Sequence, residues 1–146
     1  MLAHPHNDTD TPHPALGIDH GEARIGIAAT DDFGILAHPV ETIDCAGCDP
    51  VERIARLTEI RGIRTLVVGL PLRMDGSEGD AARRVRKFAA ALRQRLPAMP
   101  LVFEDESFST ASAAAKLHEA GRNARRQKAV IDQAAAVEIL NSWMNQ

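Results

Sequence analysis

The segment from Thr65 to Leu70, Thr-Leu-Val-Val-Gly-Leu, is a continuous apolar run, and it constrains the fold more than any other part of the sequence. A short apolar run without polar alternation is typical of a strand that is buried on both faces. Such strands occur in parallel sheets that are covered by helices above and below. The run therefore predicts an α/β domain.

Three shorter segments near the start of the chain have strand-like composition and are separated by turn residues. We predict strands at residues 15–19, 24–29 and 35–43, which would form an antiparallel meander. Pro39 lies in the third strand, and because proline has no N–H to donate to a neighbouring strand, this strand is expected at a sheet edge.

The rest of the chain alternates between helical and strand patterns. Asp49-Pro50 is a typical helix start, and Gly62 is a typical helix end. A basic amphipathic helix with an apolar stripe from Val85 to Leu96 follows a loop rich in proline and glycine. Further predicted elements are a strand at residues 101–105, a helix that Ser109 caps and Gly121 ends, a polar, mobile segment at 122–128, and a final helix at about 129–144.

These elements predict one five-stranded mixed sheet with helices on both faces, in which the two later strands run parallel to the first. We expect a disordered tail at residues 1–14 and one domain at residues 15–146. No apolar run reaches the roughly 18 residues that cross a bilayer, and the N-terminus lacks a secretory pattern. The sequence has two cysteines, Cys45 and Cys48, which are too few for a structural zinc ion with four cysteine ligands, so we expect ordinary reduced thiols. So few cysteines imply no disulfide framework, and we therefore expect a cytoplasmic protein.

The net charge of −3 does not by itself indicate a nucleic-acid-binding protein. Arginines nevertheless cluster at residues 83–87 and 122–128, and acids gather at a few predicted strand and helix ends. This distribution fits a metal-dependent nuclease with a separate phosphate-binding patch, but it equally fits two solvated helix faces.

Acidic residues lie where the predicted sheet should bind ligands. Asp19 ends the first strand, and Glu104-Asp105-Glu106 ends the fifth, with Glu104 and Glu106 on one face. The carboxyl ends of parallel strands meet at one edge of a sheet, where ligands gather. Asp19 alone also fits a turn, and the acids at 104–106 alone also fit a solvent-exposed strand end.

Asp132 lies near the middle of the apolar stripe of the final helix, with Ala136, Ile139 and Leu140 close to its direction. An unpaired buried carboxylate costs several kcal/mol, so it needs a cationic partner or a metal ion, unless it lies in a frayed first turn. If Asp19, Glu106 and Asp132 converge, their oxygens suit Mg²⁺ or Mn²⁺, and two such ions can activate water for phosphodiester hydrolysis.

Four segments are together similar to the YqgF/RuvX family of Holliday junction resolvase-like proteins, which are also described as pre-16S rRNA nucleases. They occur in the family's order, at residues 16–26, 67–79, 105–110 and 128–140. The resemblance implies a ribonuclease-H-like fold and a hydrolase. By matching position, it implies catalytic and metal-binding roles for Asp19, Glu106 and Asp132.

The sequence departs from the family pattern at two places. Ser107 stands where the family usually has arginine, and Glu22-Ala23 replaces a small polar residue followed by lysine or arginine. Losing positive charge and gaining an acid should weaken phosphate binding near the site. We therefore predict an active enzyme with an altered substrate.

Structured RNA or branched DNA is the expected partner, because few aromatic residues are available to stack on bases. The alternatives are a non-catalytic RNA-binding or regulatory protein, a resolvase that acts on branched DNA and, on fold analogy alone, an actin-like ATPase. The sequence is compatible with a monomer or a homodimer. The predicted contacts to the nucleic-acid backbone are Arg24, Arg73, Arg122, Arg125, Arg126 and Lys128.

Overall fold

The computed structural model describes residues 11–106 and 124–146, except for the side chains of residues 124–128. The described residues form a five-stranded sheet with the order β3-β2-β1-β4-β5. Its strands are β1 (Ala15–His20), β2 (Arg24–Thr30), β3 (Ala37–Asp44), β4 (Thr65–Leu70) and β5 (Leu101–Asp105).

The predicted meander is confirmed, because β1 pairs antiparallel with β2, and β2 pairs antiparallel with β3. The third strand begins at Ala37 rather than Ile35, and it lies at the sheet edge, as Pro39 predicts. Strand β4 is parallel to both β1 and β5. All six of its residues are buried, which agrees with its apolar sequence.

Two helices cover one face of the sheet. Helix α1 (Pro50–Arg61) begins where the side chain of Asp49 accepts the backbone N–H groups of Val51 and Glu52, and it ends at the left-handed Gly62. Helix α2 (Asp80–Arg95) packs Val85 and Leu92 into the main apolar core. A loop after Gly62 leads from α1 into β4, and another loop leads from α2 into β5. Each loop brings the chain back to begin a strand that is parallel to its neighbour.

A third helix, α3 (Ala124–Met144), covers the opposite face. Its buried residues Ala136, Ile139 and Leu140 pack against Ala28 and Val67 of the sheet. Helices therefore lie on both faces, as predicted.

Close contact between α3 and the sheet depends on glycines in the strands. A Cβ at Gly26 would overlap the backbone carbonyl oxygen of Asp132. A Cβ at Gly17 would lie 2.6 Å from Cγ of Leu140. Because these positions lack a side chain, the helix backbone can lie directly on β1 and β2.

The start of the final helix corrects the sequence prediction. The final helix was expected to begin at about Ala129, after a mobile segment, but α3 already includes Ala124 and the four residues after it. These residues are mainly arginine, glutamine and lysine, which favour helix without giving an apolar period. The helix predicted at 109–121 lies outside the described residues.

The contacts of the domain begin before Ala15, where the sequence analysis placed its start. The Pro14 carbonyl accepts the backbone N–H of Arg64, 2.8 Å away, and the His13 ring meets the Trp143 ring edge-on. In the part of the chain that the structure describes, no helix has the length and apolarity needed to cross a bilayer.

Candidate active site

Asp19 and Glu106 lie on the face of the sheet that α3 covers, and Asp132 belongs to α3 itself. Residues 15, 17 and 19 of β1 point to this face, whereas His20 points to the other and packs against Phe88 of α2, with 4.7 Å between ring centroids. Glu106 directly follows β5, and its backbone N–H donates to the Leu70 carbonyl at 3.3 Å. The ends of β1 and β5 thus bring two acids from distant parts of the sequence to one edge.

The half-buried Asp19 and the buried Glu106 form a carboxyl pair. Burial raises the pKa of Glu106 to about 10, with further contributions from the charge of Asp19 and from a hydrogen bond that the protonated Glu106 donates to Asp19. The pKa of Asp19 is also raised, first by burial and then by the charge of Asp132, although the hydrogen bond from Glu106 opposes this. Without a cation, Glu106 therefore holds a proton that the two carboxyl groups share.

The surroundings of Glu106 fit a divalent metal ion. Its Oε2 atom is buried and has no hydrogen-bond partner among the described residues. Gly69 lies beside the carboxyl group, and a Cβ there would be 2.7 Å from Cδ of Glu106. Buried carboxylate oxygens without a donor, next to a position that has no side chain, are suitable ligands for a hard cation.

Asp132 is already paired within the chain. The Nε of Arg24 donates to its Oδ2 at 2.9 Å, and the side chains are 37% and 17% exposed. Asp132 is nevertheless near enough to raise the pKa of Asp19. Among the described residues, no group of three or more histidine, cysteine or acidic side chains is arranged to hold a metal ion. The structure thus joins Asp19 to Glu106 and places Asp132 beside them, bound to arginine.

The neighbouring acids of β5 follow the predicted alternation. Glu104 and Glu106 are buried, and Asp105 is exposed. Glu104 accepts from the Ser142 hydroxyl at 2.7 Å and from the side chain of Gln146. It therefore fastens the end of α3 to the sheet and is not a second free carboxylate.

The structure describes only part of the predicted nucleic-acid-binding set. Arg24 contacts Asp132, and the exposed Arg73 lies over the first turn of α2, where its Nε would be 2.8 Å from a Cβ at Gly79. Arg122 lies outside the described residues. The backbone of α3 includes three more members, but nothing is described of the side chains of Arg125, Arg126 and Lys128.

The structure describes one of the two departures from the family pattern. Glu22 is 71% exposed and pairs with Arg84 of α2, whose Nε is 3.0 Å from its Oε1. The extra acid is therefore partly neutralised by a neighbouring helix. Ser107 lies outside the described residues.

The two cysteines lie in the turn between β3 and α1. Cys45 is half-buried, Cys48 is exposed, and both are free thiols. Burial raises the pKa of Cys45, with smaller contributions from the charges of Asp44 and Cys48. A raised thiol pKa reduces thiolate content, which is the opposite of what a reactive cysteine needs.

Glu106→Gln should stabilise the metal-free protein at alkaline pH. The folded protein holds one proton more than the unfolded chain between pH 4.5, the ordinary carboxyl value, and about 10. The free energy of unfolding of the wild type must therefore fall as the pH rises through this range. At pH 8 in chelator we expect Glu106→Gln to be more stable than the wild type by about 2 kcal/mol, measured by urea unfolding.

A matched control is Glu59→Gln, which changes a side chain that is 76% exposed on α1. It should keep the pH dependence of the wild type. If Glu106→Gln loses stability between pH 5 and 8 as steeply as the wild type does, then Glu106 is not the group that holds the proton.

Sequence reasoning missed the glycines that shape the site and the direct pairing of Arg24 with Asp132. Gly26 and Gly69 lie within strands, where glycine weakens local structure and often marks a close approach of another group. That signal was available in the sequence. Arg24 was predicted to contact phosphate, and nothing in its local sequence indicates a carboxylate 108 residues away.

The sequence matches the profile of the RuvX family, described as Holliday junction resolvase, over residues 13–146. It is 45% identical to a protein of Cutibacterium acnes over 95% of this chain and 86% of that protein. It is 44% identical to one of Mycobacteroides abscessus over 90% and 80%. It is 46% identical to one of a Nocardioides strain over 86% and 83%. All three are provisionally named pre-16S rRNA nucleases.

Among solved structures, the chain is similar to Thermus thermophilus RuvC in complex with a Holliday junction substrate. The TM-score is 0.53 at 15% sequence identity, and the match covers 89% of this chain and 90% of that one. The similarity confirms the ribonuclease-H-like fold that the sequence analysis expected. At this identity it shows the fold alone.

Proposed function

Because this chain belongs to the RuvX family, we propose that it is a metal-dependent nuclease that processes the 5′ end of pre-16S rRNA. The observation that carries the proposal is the contact between the half-buried Asp19 and the buried Glu106 at the carboxyl ends of β1 and β5. Two carboxyl groups in contact, one of them buried, are unfavourable for stability and are typical of a functional site.

The names of the relatives indicate the substrate class. Three proteins that are 44–46% identical to this chain over most of their length are named as pre-16S rRNA nucleases. The low aromatic content, 3% of residues, favours recognition through phosphates and helix shape. Structured RNA fits both observations.

Asp19 and Glu106 would hold a divalent cation, Mg²⁺ or Mn²⁺, and Asp132 would join them. Such a cation, when bound, polarises a phosphate and lowers the pKa of water, which supplies the chemistry of hydrolysis. The carboxyl pair contributes two negative charges at one place, once Glu106 has released its proton. Cation binding should therefore release protons and strengthen as the pH rises.

The test is cleavage by the full chain of an RNA that carries the 16S leader and the mature 5′ end. We expect cutting near the mature end in Mg²⁺ or Mn²⁺ and none in chelator. The matched comparison is a four-way DNA junction under the same conditions, because the description of the family names Holliday junction resolvase.

Each other outcome favours a different function. Cleavage of the junction but not of the RNA would favour a resolvase. Binding of RNA in chelator, with no cleavage under either metal, would favour the non-catalytic RNA-binding protein, for which the serine at position 107 is the sequence argument.

We place the activity in the cytoplasm, which agrees with the two free thiols.

A further inference from the structure

The ion pair between Arg24 and Asp132 is part of the site and is made by two elements that hold each other in place. Arg24 begins β2, and Gly26, two residues later on the same face, lies against the backbone carbonyl of Asp132. The Nε of Arg24 then reaches Oδ2 of the same aspartate at 2.9 Å. Strand β2 therefore contacts both the backbone and the side chain of Asp132.

The three acids are neutralised in two different ways. Asp19 and Glu106 contact each other, whereas Asp132 forms an ion pair with the guanidinium of Arg24. An oxygen that accepts a hydrogen bond from Arg24 is not open to a cation at the same time. Arg24 occupies Oδ2, so Asp132 can offer both of its oxygens to a cation held by its two neighbours only when Arg24 moves.

Arg24 is placed so that a phosphate can draw it away. Its side chain is 37% exposed, against 17% for Asp132, so it can be reached from solvent. A guanidinium binds phosphate in a bidentate geometry, with charge-assisted hydrogen bonds as strong as those to a carboxylate. A nucleic-acid backbone that arrives at this edge thus competes with Asp132 for the same donor.

We propose that Arg24 is a positioning residue that withholds Oδ2 of Asp132 from the divalent cation until a nucleic-acid phosphate takes over the guanidinium. The proposal rests on the proposed function, since it assumes that Asp19 and Glu106 hold the cation. It couples substrate binding to completion of the metal site. By thermodynamic linkage, the cation must then also strengthen the binding of nucleic acid.

The test is Mn²⁺ affinity without nucleic acid, measured by electron paramagnetic resonance of free Mn²⁺. Arg24→Gln should bind Mn²⁺ about tenfold more tightly than the wild type, a size typical of coupled sites. Arg24→Lys keeps a positive charge beside Asp132 and should restore an affinity near that of the wild type. A merely structural role for Arg24 would instead make Mn²⁺ binding weaker in Arg24→Gln.

Two further variants isolate the effect. In an Asp132→Asn background, Arg24→Gln should no longer change Mn²⁺ affinity, whereas a general effect of charge would persist. Arg53→Gln is the matched control, because Arg53 is 39% exposed and binds Glu41, a carboxylate outside the site. It should leave Mn²⁺ affinity unchanged.

The reciprocal effect is measured with a fluorescein-labelled RNA duplex. Fluorescence anisotropy should show several-fold tighter binding of the duplex to the wild type when Mn²⁺ is present, and a clearly smaller gain in Arg24→Gln, where only the direct contact between cation and phosphate remains. Equal gains in both proteins would overturn the proposal.

Asp19→Asn separates this inference from the proposed function. If Asp19→Asn binds Mn²⁺ as the wild type does, the metal site itself is wrong. If Asp19→Asn loses Mn²⁺ binding but Arg24→Gln gains no affinity, the metal site stands and the role of Arg24 is refuted.

Discussion

Asp19→Asn is expected to lower the rate of RNA cleavage by roughly a thousandfold and to leave the fold intact. A metal ion contributes several kcal/mol of charge stabilisation in phosphoryl transfer, and about 1.4 kcal/mol corresponds to a factor of ten in rate. Asparagine removes one of the charges that would hold the cation. The effect is measured as the single-turnover rate of cleavage in saturating Mg²⁺.

The fold should survive because asparagine has nearly the same shape as aspartate and can donate a hydrogen bond. The carboxyl group of Glu106, which donates to Asp19 in the wild type, can instead accept from the asparagine amide. Substitution also removes the repulsion between two neighbouring acids. Thermal unfolding in chelator should therefore be at or above the wild-type temperature.

The control is Asp105→Asn, at the same end of β5 but on the exposed face. We expect its rate to be within a few-fold of the wild type. Cleavage by Asp19→Asn at a rate similar to that of Asp105→Asn would exclude Asp19 from the reaction.

The fold was largely predictable because short-range features decide it. The apolar run of β4 predicts a strand covered on both faces, Pro39 predicts the edge position of β3, and Asp49 with Gly62 marks the bounds of α1. Each of these signals depends on a few neighbouring residues. The start of α3 was missed because its first turn has helix-forming residues but no apolar period.

The site was predictable in part. Parallel strands end at one edge of a sheet, and this rule places Asp19 and Glu106 together without any coordinates. The pairing of Asp132 with Arg24 depends on where α3 crosses β2, which is a property of packing between distant segments. The apolar stripe of the helix indicates that Asp132 faces the sheet, but it does not indicate which strand it meets.

Gly26→Ala tests this crossing directly, and it should have the largest effect on stability. A Cβ at position 26 would overlap the carbonyl oxygen of Asp132, and this oxygen belongs to the helix backbone, which cannot move as a side chain can. Helix α3 would have to shift away from β2 and from the apolar contacts behind it. We expect a loss of about 3 kcal/mol in the free energy of unfolding, measured in urea.

Gly47→Ala is the matched control, since the nearest atom to its Cβ would be the Asp44 carbonyl oxygen at an ordinary 3.7 Å. Its stability should change by no more than about 0.5 kcal/mol. Gly26→Ala should also lose cleavage activity under conditions where it is still folded, because a shifted helix carries Asp132 away from Asp19. If Gly26→Ala were as stable and as active as Gly47→Ala, α3 could not lie on β2 as described, and Asp132 would have no fixed place beside the carboxyl pair.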